Sequence, residues 1–277
     1  MPSLRLNQRI LEIGSIVALA AFVIAAITST GCGSRSMQPA ALNSPLPHNP
    51  LPPAVKAAEP VLLYAGTGTT PGDVSVIEGI LKNLNIGYLK ADQNQLDAMT
   101  EPQLGGYTLL IVPGGDSRII GENISANATA TIHNAVAQYG LHYLGICAGA
   151  FFGGASIYNG LDLTSGVSFD LYADEFKGIH LEPVEITRAS DSPLDVLWND
   201  GPQLSGWGGV VARYPDGTPA IAEGTLGNGF VMLVAVHLEA PASWRQGMTF
   251  TTPVSVDVAY AGTVIQAALS GTSLPHF

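Results

Sequence analysis

Four short apolar runs, Val61–Tyr64, Ile86–Leu89, Leu109–Val112 and Tyr143–Ile146, alternate with stretches of helical spacing, and this alternation limits the chain to an α/β architecture. Between the first two, Val74, Ile77, Ile80, Leu81 and Leu84 recur at the interval of one helix face, predicting a helix over 74–84. Residues 132–139 read as a second helix, with Gly140 as its stop, and 148–157 as a third. Strand–helix alternation of this kind builds βαβ units around a largely parallel sheet. Such sheets gather functional groups at the carboxyl ends of their strands. Gly66, Gly114 and Cys147 each follow a strand and share that edge. The second half is less regular: turn-rich segments at 206–209 and 214–217, strands at 220–222 and 229–236, and a closing helix over 254–269. The stretch 162–205 carries no pattern that assigns it.

The first sixty residues read differently. Arg5 and Arg9 precede an apolar run from Ile13 to Ile27. At about fifteen residues it suits the core of an export signal and falls short of the roughly twenty needed to span a bilayer. It ends in Ser29-Thr30-Gly31-Cys32, small residues before a cysteine that resemble a bacterial lipobox with serine where leucine is usual. That resemblance implies acylation of Cys32 and a lipid-anchored protein of the cell envelope; an uncleaved anchor and an ordinary signal peptide are the alternatives. All three place the domain outside the cytoplasm. Residues 33–59 are proline-rich, a composition that stiffens and extends a tether. The expected organisation is therefore signal 1–32, linker 33–59 and a single domain over 60–277.

Roughly 215 residues suffice for one well-buried domain. Only 12% of the chain is charged against 47% apolar, a balance that builds a packed interior. The formal net charge is −11, with no basic stripe, which argues against a nucleic-acid partner. Cys32 and Cys147 are the only cysteines and lie in separate regions, so no disulfide framework is expected.

The segment Gly145-Ile146-Cys147-Ala148-Gly149 has the logic of a nucleophile elbow. A sharp strand-to-helix turn lifts the side chain above the sheet edge, and glycines two before and two after allow close approach. The following helix points its N-terminus at the sulfur, which favours thiolate. The amide of Ala148 is placed to donate to a developing oxyanion. A buried, inert cysteine in a glycine-rich turn is the bland reading. Pro113-Gly114-Gly115 can turn backbone N–H groups toward a neighbouring site, or be an ordinary turn, and Asp116 beside it is placed to line a pocket. In His237-Leu238-Glu239 the first and third residues of an extended segment point the same way, so Glu239 can fix the imidazole tautomer. A histidine so held can take the proton of Cys147; a surface pair at a strand end is the alternative.

The order PGG, GICAG, HxE resembles the class I glutamine amidotransferase-like superfamily, over roughly Val61 to Leu269. The runs 64–68, 112–116, 143–150 and 237–241 are most similar to its biotin–protein ligase N-terminal-like branch. The resemblance implies a flavodoxin-like, doubly wound, mostly parallel sheet. It also implies a Cys-His-Glu triad: Cys147 the nucleophile, His237 the general base and acid, Glu239 the orienting carboxylate. Gly114 or Gly115 with Ala148 would supply the oxyanion donors. Leu238 stands where typical glutaminases have proline, and Ala148 where PfpI-like peptidases have histidine. The expected activity is hydrolysis or acyl transfer on a small or peptide-like amide or related acyl compound; a non-catalytic ligand- or partner-binding module on the same fold and a redox-responsive thiol are the alternatives.

No cofactor and no metal are expected. His133, His142 and His180 lack metal-site spacing, and Gly66-Thr67-Gly68 is too short for a dinucleotide fingerprint. Glu78 reads as a solvated helix residue, and Trp207 and Trp244 as core more than pocket wall.

Overall fold

A computed structural model describes residues 50–277. The export signal, Cys32 and the tether up to residue 49 lie outside the described residues. Among the described residues, no helix is long and apolar enough to cross a membrane. The tether's final residues hold to the domain: Val55 N–H donates to the Pro102 carbonyl at 2.7 Å and Ala57 N–H to that of Gly106 at 3.2 Å.

The first half alternates as the hydrophobic pattern requires. It runs β1 (Val61–Tyr64), α1 (Pro71–Asn83), β2 (Tyr88–Ala91), α2 (Gln93–Ala98), α3 (Glu101–Leu104), β3 (Leu109–Val112), α4 (Ser117–Asn123), α5 (Ala126–Tyr139), β4 (His142–Ile146) and α6 (Ala148–Gly153). Proline at the first helical position lets α1 begin three residues before the apolar spacing does. Asn85 then adopts a left-handed φ of 54° and Ile86 N–H returns to the Leu81 carbonyl, so the second strand begins two residues later than expected. Ser125 caps α5 by accepting from Ala128 N–H, and Gly140 closes it at φ 75°. The helix expected over 148–157 stops at Gly153. There Leu161, Leu163 and Asp162 N–H groups return to the carbonyls of Phe152, Gly153 and Gly154 and take the bonds a further turn would use.

The second half adds a short 3₁₀ turn at 173–177, then β5 (Leu181–Arg188), β6 (Leu194–Asn199), β7 (Gly209–Arg213), β8 (Pro219–Leu226), β9 (Gly229–Val234) and α7 (Val254–Ser270). The strands join one sheet in the order β2-β1-β3-β4-β9-β8-β7-β5-β6. From β2 to β9 every pairing is parallel; from β9 to β6 every pairing is antiparallel. The inner parallel strands β1, β3 and β9 read as unbroken apolar runs because they are buried throughout, whereas β2 at the sheet edge is partly exposed. Helix α1 packs on α7, which packs on β4 and β9; α6 also packs on β3, β4 and β9, and carries α4.

β9 is the seam between the two halves. It pairs parallel to β4, with Ile146 beside Val234, and antiparallel to β8. Cys147 therefore leaves β4 one residue past the last matched pair, and His237 leaves β9 three residues past it. β6, last in the strand order, curls back so that Leu197 bridges His237.

Candidate active site

Cys147 is held in a strained backbone conformation, φ 49° and ψ −104°, at the junction of β4 and α6. Its N–H donates to the Val234 carbonyl at 2.7 Å, and its carbonyl accepts from Ala150 and Phe151 in the first turn of α6. Both flanking glycines are required by contact. A Cβ on Gly145 would lie 2.3 Å from the Gly149 carbonyl oxygen, and one on Gly149 would lie 1.9 Å from that of Val112. Ala148, the first residue of α6, has an N–H with no carbonyl one turn back to receive it.

His237 follows β9. Its N–H donates to the Leu197 carbonyl at 2.8 Å, and its ring stands edge-on to Trp244, centroids 6.0 Å apart. Nδ1 lies 2.8 Å from Glu239 Oε1, the same-side geometry that two residues of extended chain provide. The hydrogen on Nδ1 is thereby committed to Glu239, leaving Nε2 for proton exchange. Both side chains are buried, at 6% and 2% exposure. Burial alone would lower the His237 pKa; the charges of Cys147 and Glu239, with hydrogen bonds to Asp73 and Cys147, outweigh it and hold the imidazole well above its ordinary range.

Gly114 stands against this group: a Cβ there would fall 2.4 Å from Asp73 Oδ1 and 2.8 Å from His237 Cε1. The Pro113-Gly114-Gly115 turn is braced by Thr70 N–H to the Gly114 carbonyl and by Asp116 N–H to that of Gly68. Gly115, at φ 149°, packs on the Gly68 carbonyl. The Asp116 carboxylate caps α4 by accepting from Ile119 N–H at 3.1 Å. Gly115 and Asp116 also line an open cavity of about 760 Å³, with Phe151, Phe169 and Asp200 among its walls.

The structure thus brings Cys147, His237, Glu239, Gly114 and Ala148 to one edge of the sheet and sets Asp116 on the adjoining cavity. It adds three residues that the sequence does not single out, Asp73, Leu197 and Asn199, and moves Trp244 from the core to the site. Asp73, in the first turn of α1, is 4% exposed and places Oδ1 3.2 Å from His237 Nδ1. It sits four residues before Ile77 on the buried stripe of α1, and an acid on an apolar stripe was the available signal. Leu197 fixes the histidine backbone. Asn199, at the end of β6, accepts the Cys147 thiol through its carbonyl at 3.4 Å. Trp244 is a pocket wall and not core: with Asp73, Leu181, Leu197, Asn199 and His237 it lines a second cavity of about 260 Å³.

Two clusters among the described residues are compact enough to hold a metal ion: buried Asp73, His237 and Glu239, and the more exposed Glu175, His180 and Asp200. Ligation in the first would cost His237 Nδ1 its bond to Glu239. His133 and His142 instead bond the carbonyls of Leu161 and Ala268. Glu78 accepts from Tyr88 and pairs with Lys90.

This half-parallel sheet with helices on both faces and a strained cysteine after a central strand has the fold of class I glutamine amidotransferases. The crystal structure of a glutamine amidotransferase superposes with a TM-score of 0.54 at 19% identity, covering 77% of this chain and all of its own. A putative GMP synthase subunit from Thermoplasma acidophilum superposes at 0.51 and 11% identity, covering 78% of this chain and 96% of its own. Within that fold, residues 59–166 match the family described as biotin-protein ligase, N terminal. A comparison with curated proteins returned no match.

Proposed function

We propose that this is an exported, membrane-tethered cysteine hydrolase or acyltransferase acting on an amide or related acyl compound. The observation that carries the reading is the Cys147 elbow set beside an imidazole whose Nδ1 is bound to Glu239 at 2.8 Å. His237 takes the thiol proton through Nε2, and the thiolate attacks the substrate carbonyl carbon. The amides of Ala148 and of the Gly114-Gly115 turn receive the oxyanion. The imidazolium then protonates the leaving group as the carbon–heteroatom bond breaks, forming a thioester. Water, deprotonated by His237, releases the acid; an acceptor amine in its place completes acyl transfer.

The test is the pH dependence of Cys147 alkylation by iodoacetamide in the full chain, solubilised in neutral detergent. Alkylation at neutral pH well above the rate of N-acetylcysteine supports activation; a rate no greater than that standard removes it. One observation favours a second reading, a ligand-binding module without turnover. Cys147 is only 5% exposed and gives its S–H to the Asn199 carbonyl. Substitution of Cys147 by Ser or Ala separates the two, because a binder keeps its ligand affinity and a hydrolase loses turnover.

A further inference from the structure

The Asp73 carboxylate is not accounted for by the triad. Glu239 already receives the Nδ1 hydrogen of His237 at 2.8 Å, and Asp73 Oδ1, 3.2 Å from the same nitrogen, can only share it as the longer of two acceptors. Among the described residues, Oδ1 has no partner besides that shared imidazole although it is fully buried. Two buried carboxylates sharing one donor are costly, and an α1 that needed only an acid in its first turn could leave it in water. Asp73 instead lines the 260 Å³ cavity beside the imidazole.

The rest of that cavity is suited to a particular kind of occupant. Leu181, Leu197 and Trp244 supply apolar walls, and no lysine or arginine lines it. Leu181 is 48% exposed and stands at the mouth. Asn199 belongs both to the wall and, through its carbonyl, to the sulfur of Cys147. Two buried carboxylates, Asp73 and Glu239, face a single imidazole, so a negatively charged ligand group meets repulsion and a cation completes the charge pairing.

We infer that the cavity takes a primary ammonium group on a short aliphatic chain, with Asp73 accepting its N–H bonds and Trp244, Leu181 and Leu197 packing on its carbons. Resting on the reading of Cys147 as nucleophile, this narrows the substrate class to amine-bearing acyl compounds or amides, with Asp73 a specificity-determining residue.

The probe is n-butylammonium chloride, titrated calorimetrically against the full chain carrying Cys147→Ala in neutral detergent, with sodium n-butyrate and n-butanol as controls. Saturable binding of the ammonium, no binding of butyrate over the same range, and affinity weakened about tenfold or more by adding Asp73→Asn are expected, the size of a lost hydrogen bond to a charged group. Leu181→Trp, which fills the mouth without touching the carboxylate, is expected to abolish binding and decides the matter if Asp73→Asn does not fold. Undiminished ammonium binding in a folded Asp73→Asn chain, equal binding of butyrate, or undiminished binding in Leu181→Trp overturns the inference. No cysteine chemistry enters this measurement. An unreactive Cys147 would therefore remove the proposed hydrolase and leave the cation pocket standing, and loss of the pocket would leave the alkylation result untouched.

Discussion

Gly149 lies so close to Val112 that a Cβ on it would come within 1.9 Å of the Val112 carbonyl oxygen. The obstructing atom is β3 backbone, which the parallel sheet holds on both sides and which cannot yield as a side-chain tip would. Gly149→Ala is therefore expected to displace the first turn of α6, at the upper end of the roughly 1–3 kcal/mol typical of overpacking. Urea unfolding of the variant would show this, together with loss of rapid Cys147 alkylation, since the elbow moves with the helix.

Cys147 occupies a region of backbone space that suits glycine, φ 49° and ψ −104°. Comparing Cys147→Gly with Cys147→Ala isolates the backbone term, because both remove the sulfur. The glycine variant is expected to be the more stable by about 1–2 kcal/mol, the scale of strain stored at functional positions. Equal midpoints in chemical denaturation would mean that the elbow stores no strain.

Glu239 is one of the groups that hold the His237 pKa above its ordinary range against the opposing effect of burial. Glu239→Gln removes that charge, so the imidazolium becomes less favourable and the thiolate it supports less populated at neutral pH. The pH profile of Cys147 alkylation should move upward, toward that of an ordinary thiol. Asparagine at position 73 should move it in the same direction, since the Asp73 hydrogen bond also raises the histidine.

Glu182, on β5, has its pKa pushed up to about 7, chiefly by burial and further by its hydrogen bond with Asp174. The folded state then holds a proton that the unfolded chain releases near the ordinary glutamate value of 4.5. Stability from this group is present below that value and is lost as pH rises toward 7. Glu182→Gln keeps the hydrogen-bonding shape without the charge. Its melting temperature should exceed that of the parent chain at pH 8, with the gap closing near pH 4.

The parallel half of the fold was legible because its inner strands are covered on both faces and so are unbroken apolar runs, as in Leu109–Val112 and Gly229–Val234. The antiparallel strands β5 to β7 were not. Their exposure alternates or is partial, as at Leu181–Arg188, and Pro183 and the glycines at 206, 208 and 209 blur the period further. At the site, Cys147, His237 and Glu239 could be singled out because each belongs to a short local motif. Leu197 and Asn199 could not, because what matters in them is a backbone carbonyl brought in from elsewhere, and nothing local to Trp244 favours pocket wall over core. Asp73 lies between these cases: its place on the apolar stripe of α1 was visible, but its partner His237, beyond the end of β9, is more than 160 residues away in sequence.

The pairing of Ile146 with Val234 sets the spacing of sulfur and imidazole through main-chain hydrogen bonds that do not depend on the contact between the two side chains. A one-residue slip of β9 would turn the imidazole to the opposite face. Because the ruler is peptide backbone, the segments around 155–170 and 240–250 are free to diverge in length and composition while the reacting pair keeps its separation. New specificities can therefore arise in this scaffold by exchange of peripheral segments, with the chemistry carried along unchanged.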